Sequence, residues 1–396
     1  MSSRLKTGWR KAKFGDVVRL SKARCADPLA AGYERFVGLE HLEPKDLRIR
    51  RWGNVADGVT FTSMFQRGQV LFGKRRAYQR KVGVADFAGV CSGDIYVLES
   101  KDARVLLPEL LPFLCQTDAF FDHAVGTSAG SLSPRTKWMS LAEFEFVLPP
   151  TTEQQSLVKL LRTATEASQA QEQVINAAKG LLQSFKNEAV GDNTATNAKD
   201  VTLGDVLMGS PDSGCSAPSK DADTGHFVLG LAALSRHGYV TGDFKPVEPT
   251  SKMLSAKLSK GDLLISRSNT PDRVGYVGIF DDERDDVSFP DTMMRLQANP
   301  VSIDPIYLEG VLQTTSAREF LMRIAAGTSA SMKKINRANL LRMPFRLPNL
   351  DAQCAAIEKL HDLRTALALQ EGRLTETRLL ITQISATALA GGRKNV

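Results

Sequence analysis

Along two stretches of the chain, apolar residues recur at alternating spacings of four and three. The first seam runs through Leu157, Leu161, Ala164, Ser168, Gln171, Ile175, Ala178, Leu182, Phe185 and Ala189. The second runs through Ala356, Leu360, Leu363, Leu367, Gln370, Leu374, Thr377, Ile381, Ile384 and Ala388, each 199 positions later. This is the heptad pattern of a helix that buries one narrow stripe against a partner helix. Each stretch, at ~37 residues and ~1.5 Å per residue, predicts a helix roughly 55 Å long. The two seams can cover each other as an antiparallel coiled coil. The helix-pairing residues are then Leu157, Leu161, Ile175, Leu182 and Phe185 on one side, with Leu360, Leu363, Leu367, Leu374, Ile381 and Ile384 on the other.

The text before each helix has a shorter period. Each head opens on a glycine-aspartate phrase, KFGDVV at 13–18 and TLGDVL at 202–207. A compact apolar strand follows a glycine in both, GQVLFGK from Gly68 and GDLLISR from Gly261. Further β-rich text comes after it, DIYVLES at 94–100 and VGYVGIF at 274–280. A helical stretch closes each head, 106–125 and 305–326. The Gln116-Thr117 pair lies ten residues before Gly126, whereas Gln313-Thr314 lies fourteen before Gly327. That difference is close to one turn, which a helix absorbs without turning its apolar face. Each head reads as a mixed α+β domain.

The two halves also share words. GTSAGSLSPRTKWMSLAEFEFVLPPTTEQQ begins at Gly126 and GTSASMKKINRANLLRMPFRLPNLDAQC at Gly327. A repeat this long is a duplicated module rather than a solenoid unit of about 20 to 50 residues. The predicted order is a head at 1–150, a helix at 151–190, a polar linker at 191–200, a second head at 201–346, a second helix at 347–391 and a tail at 392–396. The expected fold class is therefore α+β: two similar mixed α/β domains separated by two long antiparallel helices, related by a pseudo-twofold duplication. Antiparallel packing would send the heads to opposite ends of a rigid spacer.

Composition changes the picture little and charge changes it more. No apolar run approaches the ~18 to 20 residues of a membrane span, and residues 1–13 lack a signal-peptide core, so a cytoplasmic protein is expected. The five cysteines are scattered without a CxxC pair, which indicates neither a disulfide framework nor a zinc site. A net charge of +7 and a pI near 9.1 favour a polyanionic partner. The charges cluster as RIRRW at 48–52, KRRAYQRK at 74–81 and RTKW at 135–138, then as RSNTPDR at 267–273 and KKINR at 333–337. Basic residues interleaved with Tyr, Trp, Asn and Ser suit a surface that grips phosphates and reads base edges.

Catalytic motifs are missing. GQVLFGKR matches the glycine and lysine of a P-loop but puts Arg75 where magnesium coordination needs Ser or Thr, and the second copy reads GDLLISRS. There is no GxSxG elbow, no HExxH and no GxGxxG opening a βαβ unit. The only double proline, Pro149-Pro150, is not an (N/D)PP(Y/F) methylation segment, and FDDERDD at 280–286 lacks the lysine of a metal-dependent nuclease. The five histidines have no metal-ligand spacing. A stand-alone DNA-cleaving or modifying enzyme and a protein-only scaffold remain the alternatives to a DNA-recognition module.

Two divergent basic heads, each closing with GTS, a polar stretch and an LPPTTEQ or LPNLDAQ phrase that leads into a long helix, resemble the specificity subunit of type I restriction-modification systems. The likeness covers the whole chain in order. It departs from the family phrase in the second copy, where Asn349 replaces the second proline and Ala352 stands at the position of Glu153. The resemblance implies that each head is a target-recognition domain reading one half of an asymmetric bipartite duplex target, with the helices setting the spacing. It also implies a non-catalytic chain without cofactor or metal. Two methyltransferase subunits would bring S-adenosylmethionine, and a translocating nuclease subunit could join them.

Candidate DNA contacts in the first head are Arg51, Lys74, Arg75, Arg76, Tyr78, Arg80, Ser128, Arg135 and Lys137. In the second they are Arg236, Arg267, Asn269, Arg273, Ser329, Lys333, Lys334 and Arg337. Arg, Lys and Asn suit guanine and adenine edges, while Ser and backbone amides suit phosphates.

Overall fold

The computed structural model describes residues 6–191, 197–327 and 332–389. Ser329, the middle of the linker and the tail lie outside these residues. The chain divides into two units, one built from 1–172 with 372–396 and the other from 173–371. Each unit thus contains one head, part of the first long helix and part of the second.

In the first unit, an antiparallel sheet runs in the order Val18–Leu20, Ile95–Ser100, Val70–Gly73, Val82–Val84. The strand at 70–73 is buried along its whole length because both of its faces are covered. Alternation then sorts its side chains into two layers. Val70 and Phe72 join a core with Phe14, Phe120 and Phe121, while Leu71 joins Val97, Ile95, Phe65 and Val37 on the other face. A second sheet, ordered Gly53–Asn54, Arg35–Val37, Gly89–Cys91, Ser63–Phe65, holds one parallel pair. A ribbon of Arg10–Lys13 against Glu145–Leu148 brings the start of the head beside its end.

The second unit repeats this plan. Its sheet runs Asp212–Ser213, Met293–Leu296, Leu263–Ser266, Val277–Ile279. Leu263 and Ile265 enter one core and Leu264 another. Phe227–Leu229 lies parallel to Val287–Ser288, and Lys199–Thr202 pairs Pro344–Leu347. The pairing corrects the match suggested by the text. The strand within VGYVGIF takes the edge place of Val82–Val84, and Met293–Leu296 takes the inner place of Ile95–Ser100.

The helical stretch of each head is two helices. Leu111–Cys115 gives way to Asp118–Gly126, and Pro305–Leu312 to Thr315–Ile324. Thr117 and Thr314 stand at the breaks. Each hydroxyl donates back to the carbonyl three residues earlier and accepts the N–H three residues later, the N-cap role of a short β-hydroxyl side chain.

The expected extra helical turn is not there. Ala129 exchanges backbone hydrogen bonds with Arg135, and Ala326 exchanges the same pair with Lys334. Ala129 and Ala326 each lie thirteen residues after their glutamine, so they are the structural equivalents. The glycines that open the two GTS words are not: Gly126 ends a helix, whereas Gly327 follows the bridge. Five residues, 130–134, separate Ala129 from Arg135 and seven, 327–333, separate Ala326 from Lys334, so two residues of the apparent four are a true length difference and the other two come from matching the wrong words.

The long helices are Thr151–Phe185, continued by a π-helical turn at Lys186–Gly191, and Leu350–Leu389. Within the first unit, Val158 and Leu161 share a core with Ala388 and Leu389, and Arg378 pairs with Glu172, an antiparallel arrangement. Within the second, Leu182 and Val190 share a core with Ala356 and Leu360, and Lys179 pairs with Glu371 at 2.7 Å. Leu161, Ile175, Leu182 and Leu360 are buried. Leu157, Ile381 and Ile384 pack on the first core, Phe185, Leu363 and Leu367 on the second, and Leu374 is half-buried. Asn349, the departure from the double proline, caps its helix by accepting the Ala352 N–H at 3.1 Å. No helix among the described residues is long and apolar enough to cross a membrane.

Candidate nucleic-acid interface

In the first head the chain leaves the strand Val70–Gly73 directly into its basic cluster, which the sheet therefore projects from one end. The loop returning from the helix Asp118–Gly126 lies against it. Thr136 N donates to Lys74 O at 3.0 Å, and Arg76 N to Pro134 O at 2.7 Å. The fold thus joins residues 74–80 with 128–137, as one continuous basic rim.

Asp94, at the head of the strand Ile95–Ser100, organises that rim. Its carboxylate accepts Arg135 Nε at 2.8 Å and Arg75 Nη1 at 3.2 Å. Although partial burial acts to raise its pKa, hydrogen bonds from Arg135 and Arg75 hold it below the ordinary value. Arg75 also donates to Ser133 Oγ at 3.0 Å, and Lys74 Nζ lies 4.7 Å from the centre of the Tyr96 ring. The two arginines are held in place before any ligand arrives.

Backbone strain marks the same loop. Arg76 and Arg80 flank the turn Ala77–Gln79 with φ of +53° and +56°, a left-handed conformation that costs a non-glycine residue roughly 1–2 kcal/mol. The turn buries Ala77 and leaves Tyr78 and Arg76 in solvent. Arg80 is held by Asp118 and the Phe121 ring. Lys137 is exposed, and Ser128 spends its hydroxyl on the Ala124 carbonyl at the helix end. Arg51 belongs to another segment, paired with Glu43 and donating to Glu40 O.

The second head builds the same backbone with other side chains. Arg267 N donates to Thr292 O as Lys74 N does to Asp94 O, and Ile335 N donates to Arg267 O. Ser268–Asn269 pairs with Lys333–Lys334. Asn269 is buried, with Nδ2 donating to Ser266 Oγ at 3.2 Å and Oδ1 accepting Thr270 N at 2.9 Å, so its amide is turned to the protein. Arg236, Arg273 and Lys334 are exposed. Lys333 donates to Gly327 O at 2.9 Å, and Arg337 donates to Ser213 Oγ. Arg75, Arg267 and Arg337 each bury an Nε–H that finds no protein acceptor. A buried donor left in this way costs roughly 1–3 kcal/mol unless a ligand or water satisfies it.

Sequence reasoning passed over Asp94, since a lone aspartate before a strand carries no signal until the arginines converge on it. It also passed over Gln154 and Gln353, although their recurrence at the repeat offset was legible.

No family model matches the chain. Over 129 residues it is 33% identical to the type I restriction enzyme EcoDI specificity subunit of Escherichia coli, a match that spans 30% of the chain and 28% of that relative. A chain solved in a study of complex assembly and conformational transition of the type I R-M system shares the fold, with a TM-score of 0.62 at 18% identity over 98% of this chain and 99% of that one. The S subunit of the type I restriction-modification system from M. genitalium gives 0.53 at 11% identity over 97% of both chains. The chain is similar, in sequence along one segment and in fold along nearly its whole length, to the specificity subunits of type I restriction-modification systems.

Proposed function

We propose that this chain is the DNA sequence-recognition subunit of a type I restriction-modification complex. The observation that carries the reading is the pair of homologous basic rims on one backbone plan. Lys74, Arg75 and Arg76 stand in one head where Arg267, Ser268 and Asn269 stand in the other, so the half-sites differ and the target is bipartite and asymmetric. Arg76, Tyr78, Lys137, Arg273 and Lys334, exposed and in no ion pair within 4.0 Å among the described residues, are the foremost contacts. Arg80, Ser128 and Asn269 shape the loops that present them. The chain recognises and does not catalyse. Methyltransferase subunits, two per complex, carry S-adenosylmethionine, a nuclease subunit joins them, and the long helices set the spacing of the half-sites.

Purification of the chain from its native host tests this. A co-purifying methyltransferase, with sequence-selective binding of duplex DNA by the complex, supports the reading. A chain that arrives alone and binds no duplex defeats it. Because bound counterions are released when phosphates are neutralised, the affinity should fall steeply as salt rises. A flat dependence would remove the rims as the DNA surface.

A further inference from the structure

The loop closed by the Ala129–Arg135 bridge has an apolar tip. Leu132 is 89% exposed, among the most exposed large apolar side chains described, and it sits between Ser131 and Ser133 on a rim of arginines. A solitary surface leucine is ordinary and means nothing by itself. Three observations set this one apart. Its loop is pinned at the base, through the exchanged backbone bonds of Ala129 and Arg135 and the bond from Arg75 to Ser133. Its neighbours Arg76 and Arg135 are cations, which bring a polyanion to the tip. In the second head Met332, which immediately precedes the paired residues Lys333–Lys334, is again an exposed apolar side chain beside cations.

We propose that Leu132, and Met332 in the second head, are specificity-determining residues that make the apolar contact with the bases of each half-site. This rests on the DNA-recognition reading and adds to it. The flanking cations hold the sugar-phosphate backbone, and the tip enters the groove, where leucine and methionine can meet only the apolar parts of DNA. Those parts are the thymine methyl and the face of an opened base step. Leu132 donates no hydrogen bond, so it contributes discrimination without sharing in the salt-dependent grip.

The test is a comparison of the co-purified complex with its Leu132→Ala variant on duplexes bearing the methylated motif or a scrambled first half-site. Because the side chain is almost wholly exposed, the variant should melt as the parent does. Discrimination at the first half-site should fall about tenfold, the scale of one buried leucine contact. Affinity for the scrambled duplex and the salt slope should not move. Replacing thymine by uracil in the half-site separates a methyl contact, which the change weakens, from an opened step, which instead gives 2-aminopurine fluorescence on binding. Unchanged discrimination in Leu132→Ala, with a parent that does discriminate, overturns the proposal alone. A parent that discriminates between no duplexes overturns the DNA reading and this proposal with it.

Discussion

Gln154 and Gln353, 199 positions apart, make the same three hydrogen bonds in their two units. Gln154 Oε1 accepts Leu107 N at 2.9 Å, and its Nε2 donates to Val105 O at 2.8 Å and Pro149 O at 2.9 Å. Gln353 Oε1 accepts Asp304 N at 3.0 Å, and its Nε2 donates to Ser302 O at 2.9 Å and Pro348 O at 3.0 Å. Both side chains are buried, and each ties the first turn of a long helix to the segment that opens the helical pair of its own head. Each long helix is thereby tied to its head by an amide whose oxygen and both N–H groups have partners.

Replacing either glutamine by alanine leaves a buried N–H and two carbonyls without partners. At roughly 1–3 kcal/mol for each unsatisfied group, partly relieved by water, Gln154→Ala and Gln353→Ala should each cost about 2–4 kcal/mol. Thermal melts of the single and double variants would measure this. Losses within experimental error would show that the amide is not the hinge pin.

Lys186 gives a pH signature to the second unit alone. It is buried, donates to Gln313 Oε1 at 2.5 Å and lies beside the Arg364–Glu309 pair. Burial, helped by the Arg364 charge and opposed by Glu309, pushes its pKa from 10.5 down to about 8. Below that value the ammonium is charged in folded and unfolded chain alike, and the folded state bears the full penalty. Across about pH 8 to 10.5 the unfolded chain binds more protons, so this group's contribution to stability rises with pH. Lys186→Met should therefore be more stable than the parent near pH 7, by on the order of 2 kcal/mol, and should lose that part of the slope. Denaturant melts at several pH values decide it; parallel curves for the two proteins would refute the assignment.

Arg76 should separate stability from binding. Glycine relieves a left-handed conformation worth roughly 1–2 kcal/mol but adds about 0.5–1 kcal/mol of unfolded-state entropy. Arg76→Gly should melt at or slightly above the parent while binding DNA more weakly, with a salt slope reduced by about one if the contact is to phosphate. A variant that binds as the parent does would take Arg76 off the interface.

The spacer reading predicts a change of target. Four residues inserted near Ala167 lengthen the first helix by ~6 Å and keep its seam nearly in phase, so the gap between half-sites should grow by about one or two base pairs at ~3.4 Å each. Two residues rotate the seam by ~200° and should abolish assembly. Sequencing of methylated sites in cells carrying each variant reads both outcomes. An active four-residue variant with an unchanged gap would show that the helices are not the ruler.

The sequence by itself determined the duplication, the two long helices and the residues of their seams. A heptad is a local, periodic property, and an offset of 199 that persists from Pro149 onward leaves no freedom of register. It also determined the central strand of each head, whose apolar run follows a glycine. Only the tertiary structure decided which strands are equivalent, because pairing in a sheet is set by neighbours remote in the chain. It placed Met293–Leu296 where the text offered VGYVGIF, and it showed that Gly126 and Gly327, which open the same word, occupy different places. The interface divides in the same way. Lys74, Arg75 and Arg135 were visible as charges, but whether a charge faces solvent or a carboxylate depends on a residue such as Asp94 that folding alone brings within 3 Å of it.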